Sequence, residues 1–220
     1  MVHKLSSRPA NIASLLILLI AVLWGALIYP KTNDEFESHL LATSHVIHQE
    51  LMGDTVDCSA TAVGPHALVT ATHCELASDD IDIDGTQNNQ IVKTIRDRHD
   101  HTIYLLKGIE FKTFARFSKD PTPPRLTVFA WCNPSMYMHQ LRTGSYTGSK
   151  SYGGRVIQLY DLKVERGDSG SAIFNYSGEI VGVVSLRADI LALSGDPKLK
   201  GCGSITLNFS AAELEKARTF

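Results

Sequence analysis

Gly167-Asp168-Ser169-Gly170-Ser171-Ala172-Ile173-Phe174 reads as a serine on a tight, glycine-flanked turn that runs into an apolar strand. A serine hydroxyl is a poor nucleophile until a base takes its proton and donors stabilise the oxyanion that forms. Glycines beside it let the backbone turn sharply and aim its N–H groups at one point. Glycine, aspartate and serine are also ordinary turn residues. The stretch therefore carries weight only if a histidine and a carboxylate elsewhere fit the same reading.

Both are present. Thr70-Ala71-Thr72-His73-Cys74 follows the apolar run Ala67-Leu68-Val69. A neutral imidazole is the usual base for a serine, and an acceptor on its other nitrogen holds the required tautomer. The expected acceptor is Asp100, in Arg98-His99-Asp100-His101-Thr102-Ile103-Tyr104-Leu105-Leu106, with Asp97 as its rival. The chain order is then His, Asp, Ser, one of the known orders of this triad. His99-Asp100-His101 also invites a metal-ligand reading. Alternating residues of a strand point to opposite faces, so no metal is expected there.

These blocks together resemble the trypsin-like (chymotrypsin-fold) serine peptidases, over about residues 55–215. Cys58-Ser59-Ala60 with Leu68-Val69-Thr70-Ala71-Thr72-His73-Cys74 resembles the family's histidine block. Gly167-Asp168-Ser169-Gly170 resembles its serine block, and Gly178-Glu179-Ile180-Val181-Gly182-Val183-Val184-Ser185 the strand that follows. The resemblance implies a disulfide between Cys58 and Cys74, an oxyanion hole from the N–H groups of Gly167 and Ser169, and a substrate wall around Ser185, Leu186 and Arg187. Three departures stand out. Ser171 replaces a second glycine. Counting back from Leu105-Leu106 puts Thr102 where the aspartate belongs, whereas Asp100 restores it with an extra strand residue. No Ile-Val-Gly-Gly-like stretch is present, so insertion of a newly cut N-terminus beside Asp168 is not implied. The pattern resembles the compact bacterial, phage or viral members more than the digestive enzymes.

The 220 residues allow one domain with a sizeable core plus an extra segment. With 21 Lys+Arg against 23 Asp+Glu, the net charge of −2 gives no electrostatic case for binding nucleic acid. The extra segment is N-terminal. Residues 10–29, between Pro9 and Pro30, carry no charge and are rich in Leu, Ile, Ala and Val. As a helix they would span about 30 Å, the thickness of a bilayer core. Lys4 and Arg8 precede them, while Asp34, Glu35 and Glu37 follow. The basic flank is expected to stay in the cytoplasm, with the rest of the chain translocated. A cleaved signal peptide, which would make the protein secreted, is the alternative. The exit Ala26-Leu27-Ile28-Tyr29-Pro30 offers no small-x-small cleavage site, which favours an anchor. A disulfide persists only in an oxidising compartment, in accord with export. Cys132 and Cys202 match no pair of the family; bridging to each other and remaining as thiols are both open.

Along the chain, residues 1–30 are read as the anchor or signal segment and 31–55 as a polar stalk with a candidate strand at 40–47. Residues 56–220 form the peptidase domain. Short apolar or alternating segments at 58–63, 67–70, 81–84, 91–95 and 103–106 read as strands, with a turn at 85–89. The Pro-rich stretch 118–125 separates them from further segments at 126–131, near 145, 156–160, 172–174, 180–186 and 204–207. Ser210-Ala211-Ala212-Glu213 has capping-box spacing and opens a short C-terminal helix. The predicted fold is all-β. It comprises two six-stranded antiparallel β-barrels (about 56–117 and 126–208) and a short C-terminal helix, preceded by a transmembrane helix.

The expected activity is peptide-bond hydrolysis by His73, Asp100 and Ser169, with a protein or peptide substrate and no cofactor. The lipid bilayer is expected as a further partner through residues 10–29. Two alternatives have distinct consequences: a tethered binding module that keeps the fold without the activity, and an esterase using the same triad. Lys163, Arg166 or Arg187 would favour acidic side chains if one points into the specificity pocket.

Overall fold

A computed structural model describes residues 34–51, 54–75, 78–120, 127–132, 139–187 and 201–220. The chain divides into two units, Met1–Phe36 and Glu37–Phe220. Of the first, only the opening of helix α1 (Asp34–Thr43) is described. The span expected at 10–29 lies outside the described residues, among which no helix is long and apolar enough to cross a membrane.

Residues 40–47 are not one strand. Helix α1 runs to Thr43, where the hydroxyls of Thr43 and Ser44 both donate to the Leu40 carbonyl and end it. Strand β1 (Ser44–Leu51) starts there. It continues into β2 (Asp54–Gly64), β3 (Ala67–Ala71), β4 (Asp80–Ile83), β5 (Thr86–Arg96) and β6 (His101–Lys107), which close a barrel in the order β1-β2-β3-β6-β5-β4. Register places Ile47 opposite both Cys58 and Ile83. Their inward faces, with Ala60, Ala62, Leu68, Tyr104, Leu106 and Phe111, fill the barrel. The turn expected over 85–89 is shorter. Asp84 (φ 51°) and Gly85 (φ 79°) alone make the hairpin, and Ile83 pairs directly with Thr86. Two consecutive positive φ values match the right-handed twist of the flanking strands, so an Asp-Gly pair needs no longer loop.

Among the described residues, the second half is an eight-stranded sheet and not the expected closed six-stranded barrel. Strands β7 (Arg116–Phe117), β8 (Thr127–Cys132), β9 (Gln140–Tyr152), β10 (Arg155–Tyr160), β11 (Ala172–Phe174), β12 (Glu179–Val183), β13 (Leu186–Arg187) and β14 (Cys202–Ile205) form an eight-stranded sheet. Its order is β13-β14-β10-β9-β8-β11-β12-β7. Both terminal strands are two residues long among the described residues. Ala130, Tyr160, Leu162, Ile173, Val181, Val184 and Cys202 form its core. Helix α2 (Ala211–Thr219) carries the expected capping box: Ser210 Oγ accepts from Glu213 N, and Glu213 Oε2 accepts from Ser210 N.

The two halves meet across the outer face of β2 and β3. Along β2 the residues alternate, so Ala60 and Ala62 point into the barrel while Ser59 and Thr61 point out, yet all four are buried. The serine segment covers them. Ser59 N donates to Ser169 O (2.8 Å), Ser59 Oγ to Gly167 O (2.9 Å) and Ala172 N to Thr61 Oγ1 (3.3 Å). Gly170 (φ +89°) lies so close that a Cβ there would stand 2.0 Å from the Ser59 carbonyl oxygen and 2.3 Å from Thr70 Oγ1. Both the conformation and the lack of space exclude a side chain. Gly170→Ala is therefore expected to destabilise the protein by more than about 3 kcal/mol. Denaturant unfolding beside the parent protein checks this, and an unchanged midpoint would contradict it.

Candidate active site

His73 lies in a single 3-10 turn, Thr72–Cys74, at the end of β3. Cys74 ties that turn to β2 through the Cys58–Cys74 disulfide, with a Cα–Cα distance of 6.1 Å. Asp100 lies in the loop that opens β6. Its backbone carbonyl accepts from Thr72 N (2.9 Å), its Oδ1 from His73 N (3.1 Å) and its Oδ2 from His73 Nδ1 (2.9 Å). An ionised carboxylate only accepts, so this pairing puts the proton on Nδ1 and leaves the Nε2 lone pair outward. The Asp100 side chain is 16 % exposed and the imidazole 45 %, so one is shielded and the other can be reached.

The rival carboxylate is committed elsewhere. Asp97 Oδ2 accepts from His101 Nδ1 at 2.6 Å, with both side chains fully buried. The run His99-Asp100-His101 disperses to three partners: His99 Nδ1 donates to Thr206 O (2.6 Å), Asp100 holds His73 and His101 holds Asp97. Burial on its own would raise the Asp97 carboxyl. The hydrogen bond and charge of His101, with the N–H groups of His99 and Asn208, outweigh it and hold the group below its ordinary 3.8.

Ser169 is half-buried, and its carbonyl oxygen lies 3.8 Å from Cys74 Sγ, which sets it beside the His73 turn. No hydrogen bond joins Ser169 Oγ to His73 among the described residues. Unliganded sites often hold this contact long. Gly167 takes φ +99°. Within the turn, Asp168 N donates to Glu165 O, Gly170 N to Val184 O and Ser171 N to Asp168 O. The N–H groups of Gly167 and Ser169 donate to no acceptor among the described residues.

Asp168 explains how the turn is held. Its side chain is wholly buried, and Oδ2 accepts from Glu165 N (2.7 Å) and lies 3.2 Å from Arg142 Nη1. Arg142, on β9 with its side chain 11 % exposed, also donates to Lys163 O. Arg142 carried no signal in the sequence, being one basic residue in a polar strand. Only the tertiary fold brings it to Asp168.

Of the residues expected on the substrate side, Ser185 is buried, and the backbone of Leu186 and Arg187 forms β13; the side chains of Leu186 and Arg187 lie outside what the structure describes. Lys163 is 83 % exposed and paired with Glu165 at 2.9 Å, and Arg166 is exposed, so both face solvent. Cys202 is buried, and the Cys132 side chain lies outside the described set.

The family model of the trypsin-like peptidase domain matches residues 58–183, more than half of the chain, so the chain belongs to this family of serine-type endopeptidases. Among solved structures it is similar to the active form of the Rv3671c protease of M. tuberculosis, at TM-score 0.65 and 15% identity, covering 84% of this chain and 83% of that one. It is also similar to the serine endoprotease of Yersinia pestis, at TM-score 0.60 and 15% identity, covering 86% of this chain and 67% of that one. No curated protein matches the chain.

Two outcomes follow from the buried charges. Removing one partner of a buried ion pair strands the other, so Arg142→Met is expected to cost about 3 kcal/mol or more; thermal or denaturant unfolding measures it. For Asp97, a carboxyl lowered on folding contributes stability that is present above its unfolded value and lost as pH falls through its folded one. The stability gap between the parent protein and Asp97→Asn should be widest above about pH 4 and shrink below pH 3.8. Urea midpoints from pH 7 to pH 3 test this, and a gap independent of pH would contradict it.

Proposed function

We propose that this chain is a membrane-anchored endopeptidase in which Ser169, His73 and Asp100 form the catalytic triad. The observation that carries the reading is the double grip of Asp100 on His73, through N–H and Nδ1, directly beside a serine segment bonded to the same barrel. In the proposed reaction Ser169 Oγ attacks the peptide carbonyl carbon while His73 Nε2 accepts the hydroxyl proton. His73 then delivers that proton to the leaving amine nitrogen as the C–N bond breaks. Water, deprotonated by His73, then attacks the acyl-enzyme ester carbon; as the bond to Ser169 Oγ breaks, His73 returns that proton to Oγ and the acyl group leaves as a carboxylic acid. The N–H groups of Gly167 and Ser169 receive the oxyanion at each tetrahedral stage. Asp168, held by Arg142, keeps that turn wound. Residues 185–187 form the wall against which the substrate lies, and residues 10–29 anchor the protein in the bilayer with the peptidase domain outside the cytoplasm.

The test uses the full chain, expressed so that its disulfide forms, with a fluorophosphonate probe. The parent protein is expected to label, Ser169→Ala not at all, and His73→Ala and Asp100→Asn at least about a thousandfold more slowly. A folded parent that fails to label would leave the binding-module reading in its place. Cleavage of peptides, not only of activated esters, separates peptidase from esterase. Accessibility of the C-terminal domain to added protease in intact cells tests the topology, and full protection would overturn it.

A further inference from the structure

Of the carboxylate–imidazole pairs other than His73–Asp100 among the described residues, His45–Asp84 and His48–Asp57 are partly exposed, whereas Asp97 with His101 has both side chains 0% exposed. Every oxygen of Asp97 is engaged. Oδ1 accepts from His99 N (2.8 Å) and His101 N (3.2 Å), and Oδ2 from His101 Nδ1 (2.6 Å) and Asn208 N (3.1 Å). The far nitrogen of His101, Nε2, stands 3.5 Å from Ser185 Oγ, the outer limit of a hydrogen bond. That hydroxyl donates to Val183 O at 3.2 Å. Buried polar pairs add little net stability compared with well-packed apolar residues of similar volume. The location of this one calls for another explanation.

Both ends of the pair abut the active site. On one side, Asp97 caps the loop 97–101, in which Arg98 is forced to φ +65° and Asp100 is aimed at His73. On the other, Ser185 directly precedes β13, whose only strand partner among the described residues is β14. A strand paired on one side can receive an extended peptide on the other. The groups run in the order carboxylate, imidazole, hydroxyl, as in a nucleophilic triad. Here the hydroxyl is buried and its proton is spent on the Val183 carbonyl, so the arrangement holds rather than attacks.

We propose that His101 is a positioning residue of the peptidase site, bracing from the interior both the Asp100 loop and the substrate edge at Ser185. The inference rests on the peptidase reading above. Two substitutions divide its functions. His101→Asn keeps a donor toward Asp97 but cannot reach Ser185; His101→Gln keeps the reach and loses the short donor. The full-length variants are compared with Ser185→Ala by three measurements: the rate of fluorophosphonate labelling, kcat and KM on an extended peptide, and the melting temperature.

His101→Asn is expected to raise KM about three- to tenfold while labelling stays within about twofold of the parent rate. Ser185→Ala should reproduce that KM, and the double variant should add nothing, as befits two residues acting as one unit. His101→Gln should slow labelling about tenfold or more, because the Asp100 loop loses its brace. Should that variant fail to fold, His101→Asn and Ser185→Ala, which remove less, decide the matter. Shifts in melting temperature alone, with kcat, KM and labelling unmoved, would reduce the pair to scaffolding, as would additive KM effects in the double variant. An active parent with unmoved variants removes only the role of His101. A parent that neither labels nor cleaves overturns the peptidase reading and this role with it.

Discussion

Ser59 donates its backbone N–H to Ser169 O and its hydroxyl to Gly167 O, and the rest of the site depends on these two bonds. They fasten the serine turn, which belongs to the second half of the chain, onto the outer face of the first barrel. Thr61 and Thr70 extend the same surface, and Gly170 lets the backbones approach so closely that no Cβ would fit. Because β2 also carries Cys58, the disulfide to Cys74 sets the His73 turn relative to the same strand. One strand thus holds both the His73 turn and the Ser169 turn.

Charge is distributed around this frame in three buried or shielded pairs, each with a separate task. Asp100 orients His73, Arg142 secures Asp168 beneath the serine turn, and Asp97 with His101 stabilises the loop between them. Isolated carboxylates would be costly in these positions, and each is matched by backbone N–H donors together with an imidazole N–H or the Arg142 guanidinium. The exposed charges behave differently. Lys163 and Glu165 pair at the surface, where such a contact contributes little.

Periodicity and turn chemistry made much of the fold readable. The alternation at Ile81 and Ile83 marked a half-buried strand, and the Ser210–Glu213 spacing marked a helix start, because both signals are local. Residues 40–47 misled for the same reason. Their apolar residues suit either a helix end or a strand, and the Leu40 carbonyl, taken by two hydroxyls, settles it for the helix as far as Thr43. The second half resisted counting because strands of two residues, such as β7 and β13, exist only through their partners.

The sequence by itself determined the class of chemistry. A glycine-flanked serine, a histidine after an apolar strand, a following carboxylate and a cysteine pair are covalent identities, readable wherever the chain folds. Only the tertiary structure decided which of two aspartates three residues apart meets His73, since that depends on the left-handed turn at Arg98 and on what each carboxylate finds across the loop. It alone brought Arg142 to Asp168 and Ser59 to Ser169, contacts between residues far apart in sequence. Such pairings leave no local signal, because they are selected by the fit of two halves and not by the propensity of either.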